Sequence, residues 1–597
     1  MRRAIWRRIT SLETERPRWR LSSLSPTHKQ RLFGLTVLIG GVCGLVAVAF
    51  HVGIRTFERL TIERAFEQPE DLWIPWVVAV PALGALAAGI ALYYIPGARG
   101  SGVPQVKVAY THNAMGLKLR DTVGKFLIGI VQIGSGSSLG REGPTVQICS
   151  GVAKLMGSVV GLSPHHLKLL IPVGSAAGIA AAFNAPIAAV TFTIEEIVGR
   201  LDDTLLSGVI VAAALAAVVE RAMLGESPVF TIPQGYGLDH ASSLLVYAAL
   251  GVAAAIVSVV FAGSLLTLRR RFNASQQLPL WLRPAIGGVV TGVIAVAAML
   301  IVQTGGVTGG GYETLLAGLS GDLGLEAVLV LGACKLVATV FAYASGGAGG
   351  IFAPSLFIGA MLGAAFGALD IAIFGHPHAE IGSFALVGMG AVFAGTVRAP
   401  ITSVLIIIEM TAGYGLTLPL MIANMMAYGL ARHLRPTPIY EALLEQDGIS
   451  LTFKRRTVDP IDGLTIASIP SLSEGHLSFR PGDTVRDVLE AVAKAGRQEV
   501  FPVLAIDRRV VGMIVLEDLA TLSSDSELES LVRAADFMRP PRCLEVHELA
   551  SRAWELMMTL GIRQLPIVDS QHQFIALIDE TVVAREFLRI RTAERGS

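Results

Sequence analysis

The chain has 597 residues, of which 52% are hydrophobic and only 16% are charged. Together with a mean hydropathy of +0.59, this composition excludes an ordinary soluble protein and indicates a multi-pass membrane protein. The net charge of +1 gives no indication of nucleic-acid binding, and the four cysteines have neither metal-site nor redox spacing.

The N-terminal segment, residues 1–31, is strongly basic, with nine Lys or Arg residues against two Glu residues. No small-residue cleavage site follows the first apolar run, which argues against a secretory signal peptide. We predict a cytoplasmic segment that lies along the membrane surface, and an organelle transit peptide is the weaker alternative.

The membrane domain is predicted over residues 32–446, with a first span at 32–52 and a second at 73–95. Arginines at 269–271 and again at 432 and 435 place those loops in the cytoplasm, by the excess of positive charge on that side. Several later apolar runs are shorter than the ~20 residues that a membrane-spanning helix needs. Tilted or broken helices are therefore predicted.

One such break is Gly140-Arg-Glu-Gly-Pro144, after an apolar run. Glycine lets the backbone leave helical geometry, and proline suits the first turn of a new helix. Glu142 should thus lie at a helix N-terminus, where free N–H groups and the helix dipole attract anions. Its carboxylate either caps its own helix or acts as a gate that competes with a free anion.

The sequence of this break is repeated. Ser135, Gly136, Gly140 and Pro144 have counterparts 210 residues later, and a downstream Ala-Pro-Ile motif recurs 214 residues later. The domain is therefore two related halves, at about 32–225 and 242–434. Matching interruptions in two apolar halves indicate a transporter whose binding site lies near the membrane midplane.

The composition becomes polar after residue 446, which predicts a linker at 447–475 and a soluble α/β domain at 476–597. Two similar strand patterns lie 64 residues apart, at Phe501-Pro-Val503 and Leu565-Pro-Ile567. The predicted helices are 485–495 and 549–560, and the predicted strands are 500–506, 510–515, 565–568 and 574–578.

Four motifs occur in the order of the CLC chloride channel and transporter family: Gly100-Ser-Gly-Val-Pro104, Gly140-Arg-Glu-Gly-Pro144, Gly350-Ile-Phe-Ala-Pro354 and Tyr440. The chain resembles this family over residues 30–446, and its tail resembles a pair of CBS domains. The resemblance implies an all-α multi-pass membrane domain of two inverted repeats, followed by a cytoplasmic tandem CBS module. It also implies a homodimer in the cell (inner) membrane, with both termini cytoplasmic.

The resemblance further implies that chloride is bound by the hydroxyls of Ser101 and Tyr440 and by the backbone N–H groups of Ile351 and Phe352. Many weak donors suit an anion that must also leave, whereas a fixed cation would hold it. The structural alternatives are an N-cap for Ser101, core packing for Ile351 and Phe352, and an interfacial position for Tyr440.

Two carboxylates are the candidate proton carriers. In the family, Glu142 corresponds to the gating glutamate and Glu196 to the internal proton glutamate of most proton-coupled exchangers; a solvated acidic cluster is the alternative for Glu196. The predicted function is chloride/proton exchange, and the alternative is a passive voltage- or pH-gated chloride channel of the same fold. Neither a metal nor a cofactor is predicted.

Other functional classes fit less well. A divalent-cation channel would need clustered carboxylates or carbonyls at the breaks. An enzyme is not predicted, because the Gly134–Gly140 run lacks the Gly-Lys-Ser/Thr of a phosphate loop. In the tail, Asp518 resembles the ribose-binding residue of CBS domains, but the second module lacks its counterpart, so adenine nucleotide binding is predicted to be weak or absent.

Overall fold

The computed structural model describes residues 28–69, 72–111, 116–162, 164–199, 203–225, 240, 242–275, 277–304, 306–376, 381–449, 464–469, 476–493, 498–516, 518–519, 532–560 and 562–593. Most of the predicted basic segment at 1–31 lies outside these residues. The chain divides into two compact units, residues 1–451 and 452–597.

The first unit is built from helices. They are α1 (His28–Leu60), α2 (Ile62–Phe66), α3 (Trp73–Tyr94), α4 (Val103–Thr111), α5 (Leu119–Gly134), α6 (Glu142–Val159), α7 (Pro164–Phe183), α8 (Pro186–Phe192), α9 (Asp203–Leu224), α10 (Ser243–Ala274), α11 (Arg283–Val302), α12 (Tyr312–Leu319), α13 (Leu325–Ala344), α14 (Phe352–Phe374), α15 (Ile381–Val397), α16 (Pro400–Thr411), α17 (Thr417–Leu434) and α18 (Ile439–Gln446).

The described part of this unit contains 8 helices that are long and apolar enough to cross a membrane. The helices α15 and α16 are apolar but shorter, at 17 and 12 residues, as expected of segments that span only part of a membrane. The predicted multi-pass helical domain is therefore confirmed. The first helix is longer than predicted: α1 has 33 residues, because no proline follows residue 52 before the helix ends and a single glycine, Gly53, does not end a helix.

Equivalent backbone breaks recur in the two halves. Gly136 and Gly346 have φ values of +99° and +102°, a left-handed region that glycine adopts without steric cost. Asn184 and Arg398 precede the two Ala-Pro motifs and also have positive φ, +52° and +74°, which is uncommon for residues other than glycine. The shared conformations follow the sequence repeat and show that the halves fold alike.

The second unit is α/β. Its elements are α19 (Val485–Val492), β1 (Val500–Leu504), β2 (Val510–Val515), α20 (Ala534–Phe537), β3 (Leu544–Glu545), α21 (Ala550–Leu560), β4 (Gln564–Val568), β5 (Phe574–Asp579) and α22 (Glu580–Ala593).

Two antiparallel strand pairs, β1–β2 and β4–β5, give this unit its tandem organisation, with β3 parallel to β4. The register shifts by a bulge at Val503/Leu504 in the first pair and at Ile567/Val568 in the second, 64 residues apart like the strands themselves. The predicted tandem α/β module is confirmed.

Thr484 caps α19 through a capping box with Asp487, as the preceding Pro-Gly-Asp turn predicts.

The predicted linker at 447–475 is not uniformly a linker. Ile466 and Ile469 are buried in the hydrophobic core of the second unit, and Thr465 forms an isolated bridge with Leu549. Residues 464–469 therefore belong to the tail. Their two isoleucines remove apolar surface from water by packing into the core of the second unit.

All four cysteines are free thiols. Burial raises the pKa of the Cys543 thiol, in the second unit, to about 11. That thiol is protonated at neutral pH and is therefore a poor nucleophile.

Candidate functional site

Three backbone breaks meet at one point in the membrane unit. Gly140 and Gly350 exchange both backbone hydrogen bonds at 2.7 Å, which joins the two halves directly. A Cβ atom at Gly143 would lie 2.3 Å from the carbonyl oxygen of Ser101, and one at Gly102 would lie 2.4 Å from that of Gly143. The close approach requires glycine and brings the starts of α4, α6 and α14 together.

Two helix N-termini are buried at this meeting point. The helix α6 begins at Glu142 and α14 begins at Phe352, and no side chain at the N-cap position bonds to either helix. The first backbone N–H groups of a helix have no acceptor within the helix. They and the positive end of the helix dipole therefore make a site for negative charge.

Glu142 does not cap its own helix. Its side chain reaches the other half of the domain, where Oε2 accepts a hydrogen bond from the backbone N–H of Ala353 at 3.3 Å. Its Oε1 accepts a hydrogen bond from the hydroxyl of Tyr312, and the residue is 1% exposed. The carboxylate thus lies at the N-terminus of α14, the position that an anion would take.

Ser101 and Tyr440 are fully buried, and neither hydroxyl has a hydrogen-bond partner among the described residues. Ser101 lies just before α4, Tyr440 lies in the first turn of α18, and those two helices pack against each other. Buried polar atoms are nearly always hydrogen-bonded in native proteins. Two unpaired hydroxyls therefore suit a site that binds an anion.

Ile351 and Phe352 are both buried, and Ile351 is the N-cap residue of α14. The ring of Phe352 packs against those of Phe183 and Phe393, with centroids 4.6 and 4.2 Å apart. These side chains form core contacts, while their backbone N–H groups belong to the free N-terminus of the helix. Packing and anion binding are therefore compatible at these two residues.

Glu196 lies in a wide helical turn, Thr193–Val198, that follows α8. It is 6% exposed, and its Oε1 accepts a hydrogen bond from the Lys107 ammonium at 2.7 Å. The same ammonium lies 3.6 Å from Oε1 of Glu441, which follows Tyr440 in α18. The interpretation of Glu196 as part of a solvated acidic cluster therefore does not hold.

Sequence reasoning missed Lys107, although a signal was present. It lies six residues after Ser101 on a short apolar helix, where a lone cation needs a carboxylate partner. It also missed Tyr312, which follows Gly309-Gly-Gly311, the second-half counterpart of Gly100-Ser-Gly102 at a spacing of 209 residues. The repeat itself therefore indicated that Tyr312 lies next to a functional break.

Two buried lysines hold equivalent loops in the two halves. Lys125 donates to the carbonyl oxygens of Ala98 and Gly100, and Lys335 donates to those of Val307 and Gly309. Lys125 and Lys335 are 210 residues apart. Each lysine therefore fixes the loop before α4 or α12 through backbone carbonyls.

Glu195 and Glu409 make equivalent contacts, each with the start of a helix in the other half of the domain. Glu195 accepts from the backbone N–H groups of Ile401 and Thr402 at the start of α16. Glu409 accepts from those of Ile187 and Ala188 at the start of α8. Both carboxylates are thus helix caps, whereas Glu196, whose counterpart is Met410, caps no helix and pairs with Lys107 instead.

In the second unit, Asp518 is bound by the guanidinium of Arg539. Two hydrogen bonds, each 2.7 Å, join Nε to Oδ2 and Nη2 to Oδ1. A bidentate pair of this kind is among the stronger polar contacts in proteins. A nucleotide ribose would therefore compete with Arg539 for the carboxylate.

Comparison with known proteins gives four results. A family model described as "Voltage gated chloride channel" matches residues 83–432. An H(+)/Cl(-) exchange transporter, ClcA of Vibrio campbellii, is 34% identical over 429 residues, which are 71% of this chain and 90% of that protein. The crystal structure of a slow cyanobacterial Cl-/H+ antiporter has a TM-score of 0.63 at 26% identity, covering 70% of this chain and 98% of that one.

A fourth similarity concerns the fold alone. The crystal structure of a eukaryotic CLC transporter has a TM-score of 0.59 at 20% sequence identity, and the match covers 92% of this chain and 97% of that one. Since the first unit ends at residue 451, a match of this extent includes much of the second unit.

Proposed function

The chain belongs to the voltage-gated chloride channel (CLC) family, and we propose on that premise that it exchanges chloride for protons across a membrane. The observation that carries the proposal is the position of Glu142. Its carboxylate binds the N-terminus of α14 in the opposite half of the domain, so a glutamate occupies a site whose chemistry suits a chloride ion.

The exchange follows from the chemistry of that carboxylate. Ionised, Glu142 competes with chloride for the same N–H groups. Protonated, it loses the negative charge that binds it to the helix dipole and leaves the site to chloride. One residue can therefore bind a proton and an anion in turn, while the hydroxyls of Ser101 and Tyr440 and the N–H groups of Ile351 and Phe352 hold chloride.

The inner proton donor in this proposal is Glu196. It is a buried carboxylate that caps no helix, unlike the neighbouring Glu195. Lys107 binds it at 2.7 Å, and α4, which carries Lys107, starts beside Ser101. The ion pair therefore connects Glu196, through α4, to Ser101 at the proposed chloride site.

The decisive experiment measures the reversal potential of the purified protein in liposomes under crossed chloride and pH gradients. Exchange displaces the reversal potential from the chloride equilibrium potential, in the direction that the pH gradient sets. A reversal potential at the chloride equilibrium value, at every pH gradient, would identify the passive voltage- or pH-gated channel of the same fold instead.

We also propose a homodimer in the cell (inner) membrane with both termini cytoplasmic. Arg269 lies near the end of α10 and pairs with Asp447 at 2.7 Å, which supports a common side of the membrane for the end of α10 and the end of α18. The dimer rests on membership of the family. Apolar side chains exposed on α8, α9, α16 and α17, as on the other membrane-spanning helices, would contact either lipid or a second subunit: Ile187, Ile210, Val218, Ile401, Met421 and Met425.

A prediction concerns anion selectivity. Ser101→Pro removes one of the two unpaired hydroxyls from the proposed chloride site, and we expect a larger share of proton-coupled nitrate transport relative to chloride. The measurement is nitrate- and chloride-driven proton uptake in liposomes. Ser138→Ala, which removes a buried hydroxyl bonded to Thr339, is the control. An unchanged anion preference in Ser101→Pro would mean that Ser101 serves as a cap only.

A second prediction concerns the tail. Because Arg539 binds the Asp518 carboxylate through two hydrogen bonds, we expect little or no heat when ATP is titrated into the full-length protein. Asp518→Ala should give the same calorimetric trace. Saturable ATP binding at one site per chain, lost in Asp518→Ala, would contradict the prediction and assign a nucleotide to the first module.

A further inference from the structure

One of the two hydrogen-bond donors to the Glu142 carboxylate is a phenol. Tyr312 is the first residue of α12, and its hydroxyl donates a hydrogen bond to Oε1 of Glu142. The loop before it fixes this position: Gly311 has a φ of +76°, and a Cβ atom there would lie 2.6 Å from the carbonyl oxygen of Gly306. The guanidinium of Arg141 lies 5.3 Å from the centroid of the Tyr312 ring.

Tyr312 stands between Glu142 and an open cavity. The cavity has a volume of about 710 Å³, and Tyr312 and Arg141 are part of its lining. Glu142 lies behind them at 1% exposure. The phenol ring therefore covers the carboxylate on the cavity side.

We propose that Tyr312 is a positioning residue of the gate, which holds the ionised Glu142 at the N-terminus of α14 and covers it from the cavity. The inference rests on the proposed role of Glu142. It adds a residue that sets how readily the gate takes up a proton, and therefore the pH at which the pathway opens.

The physical argument is one of charge. A hydrogen bond to an ionised carboxylate is roughly twice as strong as one between neutral groups. The phenol therefore stabilises ionised Glu142 more than protonated Glu142, and so makes proton uptake harder. Removing the donor favours protonation, so the gate should open at a higher pH.

Several other charged or titratable groups surround this contact, and their effects on the pH profile must be distinguished from that of the Tyr312 hydroxyl. Lys335, which binds the loop before α12, is buried nearby. The cavity itself is lined by His51, Arg55, Glu58, Glu63, Glu67, Arg141 and Glu313. All of them stay in place when only the hydroxyl of Tyr312 is removed.

The test is chloride efflux from liposomes, measured over a series of pH values for Tyr312→Phe. We expect the midpoint of activation by acid to move to higher pH, which corresponds to about tenfold stronger proton binding. Tyr312→Ala should show the same shift and a higher maximal efflux, because it also removes the cover. Tyr247→Phe, at a buried tyrosine on α10, should behave as wild type.

The Glu142→Gln variant shows whether the effect of Tyr312→Phe on the pH profile depends on the Glu142 carboxylate. In Glu142→Gln, adding Tyr312→Phe should leave the pH profile of chloride efflux unchanged, because no ionised carboxylate remains for the phenol to stabilise. An equal shift in both backgrounds would overturn the proposal, as would a wild-type profile in Tyr312→Phe.

This test is separate from that of exchange. Chloride efflux and its pH dependence can be measured whether or not protons move, so a passive channel would still show the Tyr312 shift. Conversely, coupled proton movement in the wild type together with an unshifted Tyr312→Phe profile would remove Tyr312 from the gate and leave the exchange function intact.

Discussion

Glu142→Gln is expected to carry chloride and to move no protons. Glutamine has nearly the same shape as glutamate but cannot be ionised or carry a proton at physiological pH. It therefore neither competes with chloride as an anion at the N-terminus of α14 nor delivers a proton. Chloride flux should also lose its activation by acid, because the titrating group of the gate is gone.

The measurement is simultaneous recording of chloride efflux and proton uptake in liposomes, with the wild type and empty liposomes for comparison. Proton uptake should fall to the leak of empty liposomes. Glu313→Gln is the matched control, since Glu313 follows Tyr312 but its side chain is 84% exposed. Proton uptake at the wild-type ratio in Glu142→Gln would remove Glu142 from the proton path.

The sequence predicts the places where the backbone breaks, because glycine and proline act locally. The starts of α6 at Glu142 and of α14 at Phe352 follow directly from the two Gly/Pro motifs. The repeat predicts that those breaks are equivalent, and the reciprocal hydrogen bonds of Gly140 and Gly350 satisfy that expectation. The strands of the tail were also predictable, since period-two patterns and turn residues are local signals.

The partners of the side chains were not predictable in the same way. Capping by Glu142 of its own helix and binding to another helix are both consistent with one sequence position. The choice depends on α14 arriving from a segment 211 residues away. The pairing of Glu196 with Lys107 likewise joins residues 89 positions apart. Such contacts follow from how the helices pack, which local patterns do not specify.

The second large effect is expected at Glu196. Glu196→Gln removes the ionisable group but keeps an oxygen that can accept the hydrogen bond from Lys107, so α4 and the adjacent Ser101 should stay in place. Chloride flux should persist while proton uptake is lost. The measurement is proton uptake against a pH gradient, driven by a chloride gradient.

The neighbouring acid supplies the control. Glu195 lies one residue away and caps α16 through Ile401 and Thr402, so Glu195→Gln should keep proton coupling at the wild-type ratio. If Glu196→Gln still accumulates protons when chloride drives it, the proton donor lies elsewhere. If both variants lose coupling equally, the loss reflects the local structure and not the titration of Glu196.

Glu196→Val separates the chemical role from the structural one. It leaves the Lys107 ammonium with Glu441 at 3.6 Å as its remaining acidic partner. Breaking a buried ion pair costs about 3–5 kcal/mol, and the contact with Glu441 should keep the loss near the lower value. Thermal unfolding in detergent should therefore rank the wild type above Glu196→Gln, which keeps only a neutral acceptor for Lys107, and Glu196→Gln above Glu196→Val. Lys107→Met combined with Glu196→Val should recover much of the difference. Proton coupling should be absent in all three variants, because each lacks the carboxyl group, whatever the stability of its fold.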